Sequence, residues 1–320
     1  MRVVFMGTPS FAVPSLEALE AAFDVVGVVT RPDAVRGRGK RLEPSDVKAR
    51  ALELGLPVIE ANRMTPEVLD QLRSLAPDVL CVAAYGCILP DEALALAPLG
   101  CVNVHASLLP RWRGAAPVQR AVLSGDERAG VSIMRVVHEL DAGAYCVQVS
   151  TAVADKPCAE LLDELGRLGG EALVRALRDM EDGTATWTEQ DESLVTYAHK
   201  IDKAEMRLDP SDGVLANARR VQASMDAAPA RCTVAGKGVR VMRARVVGAA
   251  GGPAGTAGIA SLPGGLPAAG EVRVAQGRVL LGCTDGALEV LAVKPDGKRE
   301  MESRAWAAGL RGDSLAWGRV

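Results

Sequence analysis

The first half of the chain alternates between two hydrophobic patterns. Short, continuous apolar runs predict buried strands, and segments whose apolar residues recur three or four apart predict helices that pack on them. The predicted strands are residues 3–6, 25–30, 57–60, 78–84 and 101–104. The predicted helices lie around 16–22, 46–54 and 160–180, and another begins at Thr65, as its cap, and Pro66. Strands that alternate with helices predict an α/β fold, in which helices cover both faces of a parallel sheet.

The pattern changes after about residue 203. Short segments there alternate polar and apolar residues, and helix signals are few. These segments are residues 231–235, 239–246, 271–274, 278–281 and 287–293. They predict a small β-barrel of about five strands, with a long surface loop of Gly, Pro and Ala at 248–270. We therefore predict a first domain at 1–188, a linker at 189–206 and a barrel domain at 207–320.

Composition limits the class of protein further. The chain has 320 residues, 48% of them hydrophobic, which is enough to bury the cores of two domains. No apolar run is long enough to span a membrane, and the first strand begins almost at Met1, so we expect neither a signal peptide nor a transit peptide. The seven Cys are scattered and never form a Cys-x-x-Cys pair, which argues against a disulfide framework and a zinc site. These features favour a cytoplasmic location.

Charge is distributed unevenly along the chain. The formal net charge is −3, but residues 207–320 carry 16 Lys and Arg against 10 Asp and Glu, so that segment is +6 and the rest is −9. A second basic stretch, residues 31–50, is +4 and contains Gly37 and Gly39. Such asymmetry is typical of a protein in which one domain meets a polyanion, although solvated strand faces give the same count.

The strongest candidate for chemistry is the segment 103–110 together with Asp141. Asn103 and His105 lie two apart at the end of a predicted strand, so their side chains point the same way. An amide, an imidazole and a carboxylate suit acyl transfer. The amide donates to the developing oxyanion, the imidazole moves the proton, and the carboxylate orients the imidazole. The alternative is a turn-forming Asn beside a half-buried His.

Residues 103–110 and Tyr85-Gly86 each follow a predicted strand. They therefore belong at the carboxyl edge of the sheet, where α/β folds bind their ligands. The turn Gly7-Thr8-Pro9-Ser10 lies at the same edge. It lacks the second and third glycines of a dinucleotide-binding loop, so we do not expect a nicotinamide site there.

The exact sequence strings narrow the chemistry. Segment 103–110 is followed by Arg-Trp-Arg-Gly-Ala-Ala-Pro at 111–117 and by Leu-Asp-x-Gly at 140–143. Further characteristic strings begin at Val4, Gly37, Pro44, Ala84, Thr196 and Gly297. They cover most of the chain, and in this order they resemble the methionyl-tRNA formyltransferase family, among the formyltransferases that use 10-formyltetrahydrofolate.

The resemblance implies a fold, an activity and a set of site residues. It implies a Rossmann-like formyltransferase domain, a linker and a C-terminal barrel of OB-like topology. It implies transfer of the formyl group from 10-formyltetrahydrofolate to the α-amine of methionine on initiator tRNA. The family's catalytic residues correspond to Asn103, His105 and Asp141. Its folate-binding residues correspond to Ser107, Leu108, Leu109 and Pro110, and we expect Tyr85 and Gly86 to shape the same cleft.

The resemblance also assigns a role to the basic stretch. In this family the corresponding loop reaches the acceptor end of the tRNA, which implies tRNA contacts at Arg36, Arg38, Lys40 and Arg41. The chemistry requires no metal and no covalent nucleophile. No protein partner is implied, so we expect a monomer.

Two other classes of function remain open. One is another folate-dependent reaction on the same domain, such as formylation of glycinamide ribonucleotide or an amino sugar, or hydrolysis of the formyl donor. The other is an RNA-binding protein without activity. The basic stretch and the basic barrel favour a tRNA substrate over a small one, and the presence of Asn103, His105 and Asp141 argues against a protein without activity.

Overall fold

The computed structural model describes residues 1–36, 41–248, 265–312 and 314–320, except for the side chain of Arg36. The predicted loop at 248–270 therefore lies largely outside the described residues. The chain divides into two compact units. The first comprises Met1–Val118, Glu127–Val153 and Glu160–His199, and the second comprises Gln119–Asp126, Ala154–Ala159 and Lys200–Val320. Within the described part of the chain, no helix is long and apolar enough to cross a membrane.

The strands before residue 200 are β1 Arg2–Gly7, β2 Asp24–Thr30, β3 Ala34–Arg36, β4 Arg41–Glu43, β5 Val58–Glu60, β6 Val79–Ala83, β7 Cys101–His105, β8 Arg113–Gly114, β9 Arg128–Arg135, β10 Tyr145–Ala152 and β11 Tyr197–Ala198. The helices are α1 Val13–Ala22, α2 Asp46–Glu53, α3 Pro66–Ser74, α4 Asp91–Leu94, α5 Pro117–Ser124 and α6 Cys158–Glu181, with 3₁₀ turns at Ser10–Ala12 and Glu192–Leu194.

The main sheet of the first unit has the strand order β10-β9-β7-β6-β1-β2-β5. The five strands from β7 to β5 run parallel, which confirms the predicted α/β fold. Strands β9 and β10 extend the sheet antiparallel and were not predicted. A parallel neighbour needs a crossover of a dozen or more residues, whereas only nine residues separate β9 from β10, so an antiparallel pairing is the one that this connection allows.

The order of the parallel strands reverses at β1. The chain builds β2 and β5 on one side of β1 and then β6 and β7 on the other, which places a topological switch point between β1 and β6. Ligands of α/β folds bind outside the carboxyl ends of the strands at such a point. The loops after β1 and β6 are joined there, since Thr8 Oγ1 donates a hydrogen bond to Tyr85 O at 3.1 Å.

Apolar side chains cover both faces of this sheet. Val4, Met6 and Leu80 form a core on one face with Leu72 of α3. On the other face, α6 comes so close that a Cβ on Gly169 would lie 2.8 Å from Val104 Cγ1. Glycine at that position therefore lets α6 pack against β7, the strand that carries the candidate site.

Helix capping differs between α2 and α3. Ser45 caps α2, because its Oγ accepts a hydrogen bond from Lys48 N–H at 3.0 Å. Thr65 occupies the N-cap position of α3 as predicted, although its side chain makes no capping hydrogen bond. Its hydroxyl bonds to the Glu67 carboxylate instead, which lowers the pKa of Glu67.

The second unit contains a closed antiparallel barrel. Its elements are α7 Val214–Gln222, β12 Arg231–Val234, β13 Lys237–Val247, β14 Glu271–Ala275, β15 Arg278–Cys283, β16 Gly286–Pro295, β17 Met301–Glu302, α8 Ser303–Ala307 and β18 Leu315–Gly318. The ring runs β13-β12-β18-β14-β15-β16 and closes through β13–β16 pairing, which agrees with the predicted OB-like barrel. The five predicted strands are all present, and β18, which was not predicted, is a sixth strand between β12 and β14.

Candidate active site

His105 ends β7 at the carboxyl edge of the sheet and is only 5% exposed. Its Nε2 lies 3.0 Å from the backbone oxygen of Trp112. A carbonyl oxygen can only accept, so Nε2 must carry the hydrogen and the neutral ring has its lone pair on Nδ1. Nδ1 lies 3.7 Å from Oδ2 of Asp141. The ring atom that can take up a proton therefore lies beside a carboxylate.

Asp141 lies in the connection between β9 and β10. Its backbone has a positive φ of 49°, which non-glycine residues rarely adopt and Asp tolerates better than most. Its Oδ2 accepts a hydrogen bond from Gly114 N–H at 2.8 Å. Two residues on, a Cβ at Gly143 would overlap the carbonyl of Arg135, so the return of this loop to the sheet requires glycine. The structure thus brings together His105 and Asp141, two of the three predicted catalytic residues.

Asn103, the third, lies two residues before His105 in β7, on the same face of the sheet. Its parallel neighbour is Val82, at the end of β6 next to the switch point. The side chain of Asn103 is half-buried, and it makes no hydrogen bond to any residue that the structure describes. An amide in this position can donate to a bound ligand.

The loop after β7 holds its shape through internal hydrogen bonds. Ser107 Oγ donates to Arg111 O at 2.6 Å, and Gln148 Nε2 donates to Leu109 O at 2.9 Å. Leu109 N–H donates to Ser132 Oγ, whose hydroxyl donates in turn to Ser107 O. The Leu109–Pro110 peptide is cis, and Ser107 and Leu109 are buried. The hydroxyl of Ser107 and the backbone of Leu109 are therefore used to form the loop.

Tyr85 and Gly86 follow β6 across the switch point. The Tyr85 ring is 1% exposed, its hydroxyl donates to Ala61 O at 2.7 Å, and burial raises the pKa of that hydroxyl. The Tyr85 ring therefore belongs to the core. The backbone oxygen of Tyr85 lies at the switch point, where it accepts the hydrogen bond from Thr8. Gly86 has φ +75° and its carbonyl accepts from Arg31 Nη2 at 3.1 Å. Ile88, in the same loop, is 91% exposed.

The basic stretch forms a hairpin at its described ends. β3 and β4 pair antiparallel, with Val35 opposite Leu42 and both side chains exposed. Arg41 is exposed at the start of β4, whereas Arg38 and Lys40 lie outside the described residues. Arg36 contributes its backbone to β3. Lys48 forms ion pairs with Asp33 and Glu60, which raise its pKa. That charge is therefore already partnered, and tRNA contact by the stretch stays a prediction.

Cys87 follows Gly86 in the loop after β6. Burial raises the pKa of the Cys87 thiol against the opposing charge of Arg31, so this thiol stays protonated near neutral pH. Among the described residues, no three His, Cys, Asp or Glu side chains lie where they could hold a metal ion together. The three predicted residues remain the group with the clearest chemistry.

Sequence reasoning missed several residues that shape this site. Trp112 O fixes the His105 ring, Ser132 and Gln148 hold the loop after β7, and Gln190 Nε2 donates to Asp141 O at 2.8 Å. Each acts through a backbone atom or lies more than twenty residues from its partner. Only Trp112, within the string 111–117, carried a sequence signal.

Family models match both parts of the chain. Residues 1–177 match the model described as formyl transferase, and residues 200–311 match the one described as formyl transferase, C-terminal domain. The fold is also that of solved formyltransferases: an N-formyltransferase from Helicobacter canadensis, in complex with folinic acid and dTDP-3-aminofucose, superposes with a TM-score of 0.63 at 13% identity, over 93% of this chain and 99% of that one. The fold and the family models thus define a formyltransferase.

Curated relatives narrow this class. The chain is 42% identical to the methionyl-tRNA formyltransferase of Methylococcus capsulatus, over 95% of both chains. It is 43% identical to that of Acidithiobacillus ferrooxidans, over 97% of this chain and 96% of the relative. The chain therefore belongs to the methionyl-tRNA formyltransferase family, which confirms the resemblance seen in the sequence.

Proposed function

We propose that this formyltransferase moves the formyl group of 10-formyltetrahydrofolate to the α-amine of methionine on charged initiator tRNA. The observation that carries the proposal is the pair His105 and Asp141 at the carboxyl edge of the sheet, with Nδ1 of the ring 3.7 Å from the carboxylate. The named activity of the relatives, at 42% identity over nearly the whole chain, supports the choice of substrates.

His105 handles the proton in this proposal. The reaction replaces the formyl C–N bond of the donor with a C–N bond to the amine, so a proton must leave the amine and reach the departing nitrogen. The lone pair on Nδ1 of His105 accepts that proton, because Nε2–H is committed to Trp112 O. Asp141 then lies next to the imidazolium and stabilises its charge.

Asn103 handles the charge on the formyl oxygen. The carbonyl oxygen gains negative charge as the amine attacks, and an amide N–H aimed at it stabilises that charge. A comparable oxyanion donor lowers the barrier by about 3–4 kcal/mol. The half-buried amide of Asn103 has no hydrogen-bond partner among the described residues, so donating to substrate breaks no existing bond.

The remaining predicted contacts divide between the two substrates. For the folate we propose Ser107, Leu108, Leu109, Pro110, Tyr85 and Gly86, with Ser107 and Leu109 contributing through the shape of the loop and Tyr85 through its backbone. For the tRNA we propose Arg36, Arg38, Lys40 and Arg41. We also propose that the enzyme is cytoplasmic and monomeric. The seven free cysteines support a reducing compartment.

A formylation assay tests the proposal. The protein is incubated with 10-formyltetrahydrofolate and methionine-charged initiator tRNA, and N-formylmethionine is measured, with charged elongator methionine tRNA and free amino sugars as competing acceptors. We expect formylation of the initiator tRNA and its loss in His105→Ala. Formylation of a small amine in preference to either tRNA would overturn the proposed acceptor, and full activity of His105→Ala would overturn the proposed site.

A further inference from the structure

A buried amide holds the backbone on which Asp141 sits. Gln190 is 9% exposed, and its Nε2 donates to two carbonyls of one loop, Asp141 O and Gly143 O, each at 2.8 Å. Its own segment is anchored a few residues later, where Thr196 Oγ1 accepts from Trp112 N–H at 2.9 Å. The chain around 190–196 therefore holds both the loop that carries Asp141 and the residue that fixes the His105 ring.

Arg113 determines which way the Gln190 amide faces. Arg113 is 4% exposed, and its Nε donates to Gln190 Oε1 at 2.9 Å. A guanidinium has only donors, so the atom opposite it must be the amide oxygen, which leaves the NH₂ group directed at the two carbonyls. Glu192 keeps the buried charge of Arg113 paired, with Oε1 2.8 Å from Nη2.

The position of the Asp141 carboxylate depends on this support. Asp141 has φ +49°, a conformation that persists only where its surroundings enforce it. Its backbone oxygen accepts from Gln190, and its carboxylate accepts a hydrogen bond from Gly114 N–H. The backbone of Gly114 is itself held by the parallel pairing of β8 with β11, in which Gly114 lies opposite Ala198.

We propose that Gln190 is a positioning residue for formyl transfer, which, oriented by Arg113, holds Asp141 beside Nδ1 of His105. This inference rests on the proposed role of Asp141. It predicts that loss of the amide alters the reaction step through Asp141, beyond any effect on folding, because misplacement of a reacting group by an ångström is enough to cost a large part of a rate.

The test is a double-mutant cycle of Gln190→Met with Asp141→Asn. Met keeps the length of the side chain and removes its three hydrogen bonds, the two to the loop carbonyls and the one from Arg113. We expect kcat to fall at least about tenfold in Gln190→Met, with KM for folate and tRNA within about twofold of wild type. In the Asp141→Asn background we expect Gln190→Met to change kcat by less than about twofold, since the residue that it positions is already disabled.

Gln222→Met is a matched control. Gln222 Nε2 also donates to two backbone carbonyls, Ala154 O at 2.8 Å and Lys156 O at 3.0 Å, within the second unit. We expect this variant to keep the kcat of the parent protein in both backgrounds. Gln190→Glu provides a second variant of nearly the same shape, in which the contact with Arg113 remains but the donors to the carbonyls are lost. We expect it to match Gln190→Met.

The outcomes separate the two proposals. Wild-type activity in Asp141→Asn alone would overturn the proposed role of Asp141. Suppose instead that Asp141→Asn is impaired. The inference is then wrong, and Gln190 is a structural residue, if Gln190→Met and Gln190→Glu keep the kcat of wild type. The same holds if they lower kcat by the same factor in the wild-type and Asp141→Asn backgrounds. Melting temperatures of all variants identify any loss of rate that comes from unfolded protein.

Discussion

Single backbone atoms decide the chemistry of the His105 side chain. Trp112 O selects the tautomer by accepting from Nε2, and Trp112 itself has φ +63°, so its carbonyl direction is set by an unusual backbone conformation. Asp141 likewise combines a positive φ with a carboxylate that accepts from Gly114 N–H. The two side chains are therefore oriented directly by main-chain groups.

Asp141→Asn should separate catalysis from stability. Asn tolerates a positive φ, and its Oδ1 can still accept from Gly114 N–H, so we expect a melting temperature near that of wild type. The charge beside His105 is lost, and we expect single-turnover formyl transfer to slow at least about a hundredfold, the scale of general acid–base catalysis. Asp163→Asn, an exposed change of the same kind on α6, is the control.

Turnover within a few-fold of wild type in Asp141→Asn would remove this carboxylate from the mechanism. A low rate accompanied by a large drop in melting temperature would instead show that Asp141 serves the fold of its loop.

Part of the geometry of the site could be predicted from the sequence. Asn103 and His105 are two apart in one strand, so their shared face follows from strand geometry, and Asp141 was recognised by its family string. The support of Asp141 by Gln190 joins residues 49 apart through a backbone carbonyl. Such a bond is independent of the identity of one partner, so no pattern in the sequence signals it.

Elements were predicted best where one strand or helix carries its own signal. The parallel strands are continuous apolar runs, and the barrel strands alternate with a period of two. Strand β18 has only four residues, and its status depends on pairing with β12 and β14 far away in sequence. Helix α7 was also not predicted, and it follows a segment whose apolar residues show no clear period.

Three strands of the barrel meet in a buried ion-pair cluster. Glu289 of β16 is 3% exposed and accepts hydrogen bonds from Arg245 of β13 and Arg278 of β15, each with a contact at 2.7 Å. Burial acts to raise the pKa of Glu289, but the two guanidinium groups outweigh it and the pKa is lowered. The cluster thus links the closing pair of strands, β13 and β16, to β15.

Glu289→Gln should destabilise the barrel in a pH-dependent way. A carboxylate whose pKa is lowered on folding adds stability above its unfolded pKa of about 4.3, and this stability is lost as pH falls through the folded value. We expect a loss on the order of 1–2 kcal/mol at pH 7, because hydrogen bonds to charged groups contribute about that much and Arg245 is largely exposed. The measurement is thermal unfolding of both proteins by calorimetry between pH 7 and pH 3.

The difference between the two proteins should shrink as the pH falls below the unfolded pKa and through the lower folded pKa of Glu289, because wild-type Glu289 then also becomes neutral. Glu302→Gln is the control, because Glu302 pairs with Arg243 at the barrel surface, and we expect a change within about 0.5 kcal/mol. A pH-independent difference for Glu289→Gln would show that packing, and not the charge, stabilises the cluster.

At the scale of the whole molecule, charge and chemistry lie in different parts of the sequence. The basic residues concentrate in 31–50 and 207–320, while the remainder, which includes Asn103, His105 and Asp141, is acidic in balance. Some of these basic residues, such as Lys48 and Arg278, form ion pairs within the protein. Composition could therefore indicate a polyanionic partner, but it could not say which basic residues remain available to one.

Replacing Arg38, Lys40 and Arg41 together with Ala tests the availability of the basic stretch. If these side chains contact phosphates, each lost contact lowers the slope of log affinity against log salt by about 0.7 to 0.9 and raises KM for tRNA. KM for folate should not change, because no charge in the folate loop is altered. The measurement is tRNA binding across a salt series, together with steady-state kinetics for both substrates.

The control is a second triple substitution, Arg167, Arg175 and Arg178 to Ala. It also removes three positive charges, here from the exposed face of α6. Both variants lower the net charge equally, so general attraction between the protein and a polyanion falls by a similar amount in each. A specific contact predicts a flatter salt slope only in the first variant. A salt slope that is flattened equally in both variants would mean that the basic stretch acts by its charge alone. Wild-type slopes in both variants would instead assign tRNA binding to the basic residues of the barrel.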